Sequence, residues 1–282
     1  MPMNLGVVYL ALGRPYLAMA LLSAKSLVEK NITLPYTIVT NVCKEPPAVD
    51  FFRHGYDRWT YVSVEDSVNR SLKTRILEYS EYQKTIFLDC DTVVMGNLAA
   101  ADSILDYFDI GIRLNRYPQK RKGKGDIPVL GGLTVGDLPH WNSGVMLIKN
   151  SLASCEFFRM WNENFTRLGS QYDQVSLVPT IFKSDARVLS LEERWNATDP
   201  GIGRKQWRRD TLVYHYATNI CDHLYSTIMR YDQIIPIDMD KHTTRDFLTR
   251  KRRLKKSQMN VLRFFAINVS WRFSSPIKIQ YK

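Results

Sequence analysis

The sequence predicts an α/β domain with a mixed, mostly parallel sheet flanked by helices. Three observations carry that prediction. Short apolar runs alternate with segments of helical period, the pattern of βαβ units. One of those runs, Ile86-Phe87-Leu88, stops abruptly at Asp89-Cys90-Asp91, and the carboxyl ends of strands are where α/β sheets bind ligands. The 282 residues, 45% of them hydrophobic, allow an ample core.

The elements follow in order. Residues 4–12 read as a buried first strand, broken by Gly13-Arg14-Pro15. Residues 16–29 read as a helix, with apolar positions at 17, 20, 21, 24, 27 and 28. Tyr36 to Thr40 is a second strand, and Arg58 to Val64 a third. Lys73 to Tyr79 reads as helical and leads into the strand that ends at Asp89. Leu98 to Asp109 is a helix and Ile110 to Leu114 a strand. The basic stretch from Arg113 to Asp126 reads as a solvated loop beside the cleft, with a phosphate cradle as the alternative. The small and polar Asn142-Ser143-Gly144 precede a four-residue apolar strand, Val145 to Ile148. Leu152 to Leu168 is an aromatic-rich helix, Arg187 to Leu191 a strand, and Thr211 to Tyr216 a last β segment.

Chemistry concentrates at Asp89 and Asp91. In an extended chain the side-chain period is two, so both carboxylates point one way and Cys90 the other. Two converging carboxylates repel unless a cation lies between them, and such oxygen sites suit Mg²⁺ or Mn²⁺ with substrate phosphates. An Asp-x-Asp pair also occurs in plain turns. His215 follows an apolar segment, where it is either structural or a nitrogen ligand. Asp173 reads as a helix cap or a ligand-binding acid, two compatible roles. Tyr9 is either a core aromatic or, with Ala11, the floor under a nucleotide base.

Charge and cysteine usage narrow the class. The net charge of +11 is concentrated in residues 241–282, which hold 12 Lys or Arg and one acid. The other 240 residues balance, so the overall basicity does not argue for nucleic-acid binding. Four scattered cysteines without a CxxC pair fit neither a zinc site nor a disulfide framework and point to a reducing compartment. No signal-like N-terminus stands out, and no apolar run approaches the roughly 18 residues of a membrane span. The five Asn-x-Ser/Thr triplets are read as chance matches, and the expected location is cytoplasmic, peripheral on a membrane face.

Five motifs arrive in a familiar order: Leu88-Asp89-Cys90-Asp91-Thr92-Val93-Val94, Trp141 to Met146, Asp173-Gln174, Trp195-Asn196 and His215-Tyr216. Together, across residues 5–220, they resemble the retaining GT-A glycosyltransferases of the glycogenin and bacterial lipopolysaccharide galactosyltransferase type. The resemblance implies a Rossmann-like GT-A catalytic domain over residues 1–240. It implies that Asp89, Asp91 and His215 bind Mn²⁺ (or Mg²⁺), with the Asp89-Cys90-Asp91 corner holding the diphosphate of a UDP-hexose donor. Tyr9 and Ala11 would lie near the uracil, and Arg75 or Lys73 would hold the donor. Asn142 and Ser143 would line the sugar pocket, with Asp173 and Gln174 as its catalytic side. The family's Gly-x-x-Lys-Pro-Trp after the histidine is here Tyr216-Ala217-Thr218-Asn219-Ile220, and Lys205 stands as the substitute for the missing lysine. The acceptor is expected to be a carbohydrate or glycolipid.

Residues 241–282 read as a basic amphipathic extension. Apolar positions at 247, 248, 254, 261, 262 and 265 lie among Arg250 to Lys256, and Ile267, Val269, Trp271 and Phe273 alternate like a strand. An anionic membrane surface is the expected partner; a solvated tail and nucleic acid are the alternatives. Two further functions remain at this stage: a sugar-nucleotide nucleotidyltransferase, and a non-enzymatic adaptor on the same fold.

Overall fold

A computed structural model describes residues 4–115, 126–168, 173–198, 210–216, 220, 222–236 and 242–253. Strand β1 (Leu5–Ala11) turns at Gly13 into helix α1 (Arg14–Lys30), which starts two residues before the helix read from the sequence because Pro15 suits a first helical turn. Gly13 sits at φ 86°, where a side chain is strained, and an added Cβ would also meet Asp66. Strands β2 (Tyr36–Thr40), β3 (Arg58–Tyr61) and β4 (Lys84–Leu88) follow, with helix α2 (Asn69–Lys73) between the last two. After β4 come β5 (Thr92–Val94), α3 (Ala100–Tyr107), β6 (Ile110–Leu114) and a hairpin of β7 (Pro128–Leu130) and β8 (Leu133–Thr134). Strand β9 (Trp141–Lys149), helices α4 (Leu152–Arg167) and α5 (Asp173–Lys183), and strands β10 (Val188–Leu191) and β11 (Val213–His215) complete the site-bearing part. Helices α6 (Asp222–Ile234) and α7 (His242–Arg253) close the described chain.

Seven strands form one sheet in the order β3-β2-β1-β4-β9-β6-β10. Every neighbouring pair is parallel except those of β9, which runs antiparallel to both β4 and β6. Side chains of period two separate into two cores. Val7, Tyr9, Ala11, Ile86, Leu88 and Leu147 pack with α1, whereas Val8, Leu10, Phe87, Met146 and Ile148 pack with the aromatics of α4. Helices thus cover both faces, as a mostly parallel sheet requires.

The sequence-read helix over Lys73 to Tyr79 is two pieces. Helix α2 ends at Lys73, and a 3₁₀ turn covers Ile76–Tyr79. Thr74 closes the break: its hydroxyl lies 2.6 Å from Ser71 O and 2.9 Å from Asn162 Oδ1 of α4. The strand expected at Val145 to Ile148 extends back to Trp141, because its polar start pairs with Arg113 and Leu114 past an irregularity in β6. The 242–253 stretch of the basic extension is helical, and its apolar residues face the domain: Leu248 is fully buried and Phe247 meets Tyr16 edge-on, with centroids 5.2 Å apart. Among the described residues no helix is long and apolar enough to cross a membrane. The strand-like pattern at 267–273 and the basic loop from Arg116 to Gly125 lie outside the described residues.

A buried ion pair ties the last two helices to the first. Arg14 Nε donates to Asp232 Oδ1 at 2.8 Å, and Thr244 of α7 donates to the same oxygen at 2.7 Å. Removing one partner of a buried pair is costly, because desolvation of the other charge is no longer offset. Asp232→Ala is expected to lower the unfolding free energy by about 3–5 kcal/mol in urea denaturation. A loss below about 1 kcal/mol, the value of an exposed pair, would contradict this packing role.

Candidate active site

The site forms where the sheet direction reverses. Parallel β4 ends at Leu88, and the start of antiparallel β9 lies beside it, so residues 141–144 reach the carboxyl edge of the sheet. Asp89 N donates to Gly144 O at 2.8 Å, extending the ladder by one bond beyond β4. Backbone pairing also delivers His215. In the small sheet of β5 and β11, Thr92 pairs with His215, and Tyr216 N donates to Asp91 O at 3.0 Å. Residues 124 positions apart are thus fixed by main-chain bonds rather than by side-chain chance.

One ligand atom from each of Asp89, Asp91 and His215 lies within 4.8 Å of the other two. His215 Nε2 is 3.1 Å from Asp91 Oδ1 and 3.9 Å from Asp89 Oδ2. Two carboxylates and an imidazole make a donor set that suits Mn²⁺, and the charge of the pair calls for a cation. Burial raises the pKa of Asp89, and the neighbouring Asp91 adds to the rise, against the pull of Lys73 and His215. Cys90 points elsewhere: its thiol donates to Leu10 O and is buried under β1.

Lys73 brings an ammonium into this cluster, placed there by the last turn of α2. Its ammonium donates to Asp89 Oδ1 at 2.7 Å, lies 3.5 Å from Asp173 Oδ2, and sits 5.0 Å from the centre of the Phe87 ring. Burial disfavours its charge, but the carboxylates of Asp89 and Asp173 outweigh burial and raise its pKa. Arg75 lies two residues on, past the helix end. Its guanidinium is exposed and bound to Glu78, with Nε 2.7 Å from Oε1.

Asp173 opens α5. Trp161 of α4 donates its indole N–H to Asp173 O at 3.0 Å and so anchors that turn. The carboxylate accepts the Ser143 hydroxyl at 2.5 Å. Burial would raise its pKa, but Lys73, Ser143 and Arg70 more than offset that and lower it. Gln174 Oε1 accepts from Asn115 at 3.1 Å, and the same amide of Asn115 also donates to Trp141 O. Asn142 Oδ1 accepts from Gly144 N at 2.9 Å and from Asn196 Nδ2 at 3.0 Å. Asn115 and Arg70 had no signal in the sequence, and Asn196 stood only as part of the Trp195-Asn196 motif with no role attached, because each acts through a neighbour distant along the chain. Tyr9 is fully buried, with Ser23 donating to its hydroxyl at 3.2 Å, and its ring packs against Tyr36. Ala11 is equally buried at the end of β1. Lys205 lies outside the described residues.

No family model matches the chain, and neither does any curated protein. Solved structures do. The galactosyltransferase LgtC, in complex with donor and acceptor sugar analogs, aligns with TM-score 0.56 and 16% identity, covering 84% of this chain and 98% of that one. The bifunctional glycosyltransferase WbbM aligns with TM-score 0.57 and 13% identity, over 86% of this chain and 52% of WbbM. The glycosyltransferase GlyE of Streptococcus pneumoniae TIGR4 aligns with TM-score 0.53 and 16% identity, over 88% of this chain and 64% of GlyE. The chain has the GT-A fold. In that fold the carboxyl edge described above, with Asp89, Asp91 and His215 converging on it, is the part of the sheet where α/β proteins bind ligands.

The linked charges make a pH-dependent prediction. The lowered pKa of Asp173 means that its ionised form adds stability above the ordinary carboxylate value, near about 4, and that this is lost as pH falls through the folded value. The raised pKa of Lys73 means that its charge adds stability at every pH below about 10.5 and is lost only above the folded value. Both are charged in between. In metal-chelated protein, Lys73→Met is expected to destabilise by about 3 kcal/mol near neutral pH. The deficit should narrow as pH falls, as Asp89, whose raised value brings its proton on first, and then Asp173, whose lowered value holds its charge longer, are neutralised. Urea denaturation across that range checks it; a deficit that does not vary with pH would contradict the pairing.

Proposed function

We propose that the protein is a metal-dependent glycosyltransferase that moves a hexose from a UDP-sugar to a carbohydrate or glycolipid acceptor, with retention of anomeric configuration. The observation that carries this reading is the convergence of Asp89, Asp91 and His215, with Lys73 and Asp173 alongside, at the carboxyl edge of a GT-A sheet. The likeness to LgtC, a galactosyltransferase crystallised with donor and acceptor sugar analogs, supports a sugar donor and a sugar acceptor.

Asp89, Asp91 and His215 would hold Mn²⁺ or Mg²⁺. Such an ion, when bound, supplies Lewis-acid stabilisation of a diphosphate leaving group. The chain's own residues do the rest. Lys73 brings a second positive charge to the same corner, fixed before substrate arrives, which is how a site stabilises developing charge without reorganising. In this reading Lys73 takes over part of what the lysine missing after His215 does in the resembled family. Asp173 is held ionised by Lys73 and Ser143, so a carboxylate faces the positive charge that builds on the anomeric carbon as the bond to the diphosphate breaks. Asn142, Ser143 and Gln174 orient sugar hydroxyls by hydrogen bonds from positions that β9, α5 and Asn115 make rigid. Holding donor and acceptor together supplies much of the remaining barrier reduction, up to about 7–11 kcal/mol in favourable cases.

Turnover of UDP-hexose with Mn²⁺ tests the proposal, with and without saccharide or glycolipid acceptors. Chelation or Asp91→Ala is expected to lower turnover by at least about 100-fold, the usual cost of losing one main electrostatic stabiliser. Unchanged turnover in Asp91→Ala would sink the site assignment.

A further inference from the structure

The imidazole of His215 has two nitrogens, and only one can serve as a ligand in the cluster with Asp89 and Asp91. The one that faces the acids is Nε2. For it to present a lone pair there, Nδ1 must carry the hydrogen. A chain of hydrogen bonds starting from a backbone amide sets this direction. Gly144 N–H can only donate, and it donates to Asn142 Oδ1 at 2.9 Å. That oxygen also accepts from Asn196 Nδ2 at 3.0 Å, which orients the Asn196 amide. The remaining end of that amide, Oδ1, lies 3.0 Å from His215 Nδ1. An amide oxygen only accepts, so Nδ1 donates.

We propose that Asn196 is a positioning residue that holds Nδ1 of His215 protonated and so leaves Nε2, the nitrogen that faces Asp89 and Asp91, as the ligand atom. This deepens the metal-dependent reading and rests on it. Partners on the far nitrogen of a metal-binding imidazole fix both tautomer and ring orientation. The surroundings of Asn196 suit that role. It is fully buried, and Arg113, itself buried, donates to its backbone oxygen. The ring is held as well as protonated: a Cβ on Gly144 would come within 2.3 Å of His215 Cε1 and 2.5 Å of Nδ1. Glycine is needed there for the imidazole to pack this close to β9. His215 N also bonds Ala197 O at 2.9 Å, so the residue after Asn196 fixes the backbone that carries the ring.

Two measurements on the full chain test this. In ¹⁵N-labelled wild type, long-range ¹H–¹⁵N correlations of the His215 ring should show a protonated Nδ1, both metal-free and with Mg²⁺. A bare Nδ1 would overturn the proposal, and this readout needs no variant. Mn²⁺ affinity is then followed by the loss of the free-ion paramagnetic resonance signal. Asn196→Leu removes the acceptor at similar volume and should weaken Mn²⁺ binding by about 10–100-fold. Asn196→Asp keeps an oxygen acceptor for Nδ1–H and should lose clearly less. Equal losses in the two variants, or wild-type affinity in Asn196→Leu, would overturn it. If wild type itself binds no Mn²⁺, the metal-dependent reading fails, while the ring spectrum still decides the role of Asn196.

Discussion

Two acids one residue apart at the end of a buried strand repel each other, and the surroundings of Asp89 and Asp91 are organised by that repulsion. Lys73 is buried against Asp89 although burial alone disfavours its charge. His215 arrives on β11, paired to the strand that follows the acids. Asp173 shares Lys73 from the other side, so one ammonium serves two carboxylates on different elements. A bound divalent cation would complete the neutralisation that Lys73 begins. The cluster itself is held by Lys73, by the side-chain bonds of His215 to Asp91 and of Ser143 to Asp173, and by main-chain bonds.

The reversal of β9 makes the cluster geometrically accessible. In an all-parallel sheet, residues 141–144 would sit at the opposite edge from Asp89. Running antiparallel between β4 and β6, β9 brings its polar start to the carboxyl ends of its neighbours. Its apolar remainder fills both cores. The same strand therefore contributes packing at one end and hydrogen-bonding groups at the other. The helices that present Lys73 and Asp173 are tied to one another through α4, by Thr74 to Asn162 and by Trp161 to Asp173.

Much of this was legible in the chain. The strands at Tyr36–Thr40 and Ile110–Leu114 appear as read, because a compact apolar run bounded by breakers leaves little choice of period or length. The spacing of Asp89 and Asp91 marked the acidic corner. Three features were not legible, each for a physical reason. Strand direction has no local signature, so the reversal of β9 could not be read from Trp141 to Lys149. Lys73 and Arg75 look equivalent on one continuous helix, and the break at Thr74 that separates them depends on Asn162 far along the chain. Asn196 acts through His215 and Asn142, so its role exists only once β9 and β11 are in place. The apolar positions of the basic extension were read as available for a membrane, yet Phe247 and Leu248 are used against α1.

The central proposal is that Asp89, Asp91 and His215 form one divalent-cation site at the carboxyl edge of the sheet. Anomalous diffraction from crystals soaked with Mn²⁺ and UDP tests it most directly. The account predicts a single strong manganese peak in contact with all three side chains and with the diphosphate of UDP. A peak elsewhere, or UDP bound at this edge with no manganese between it and the carboxylates, would contradict it.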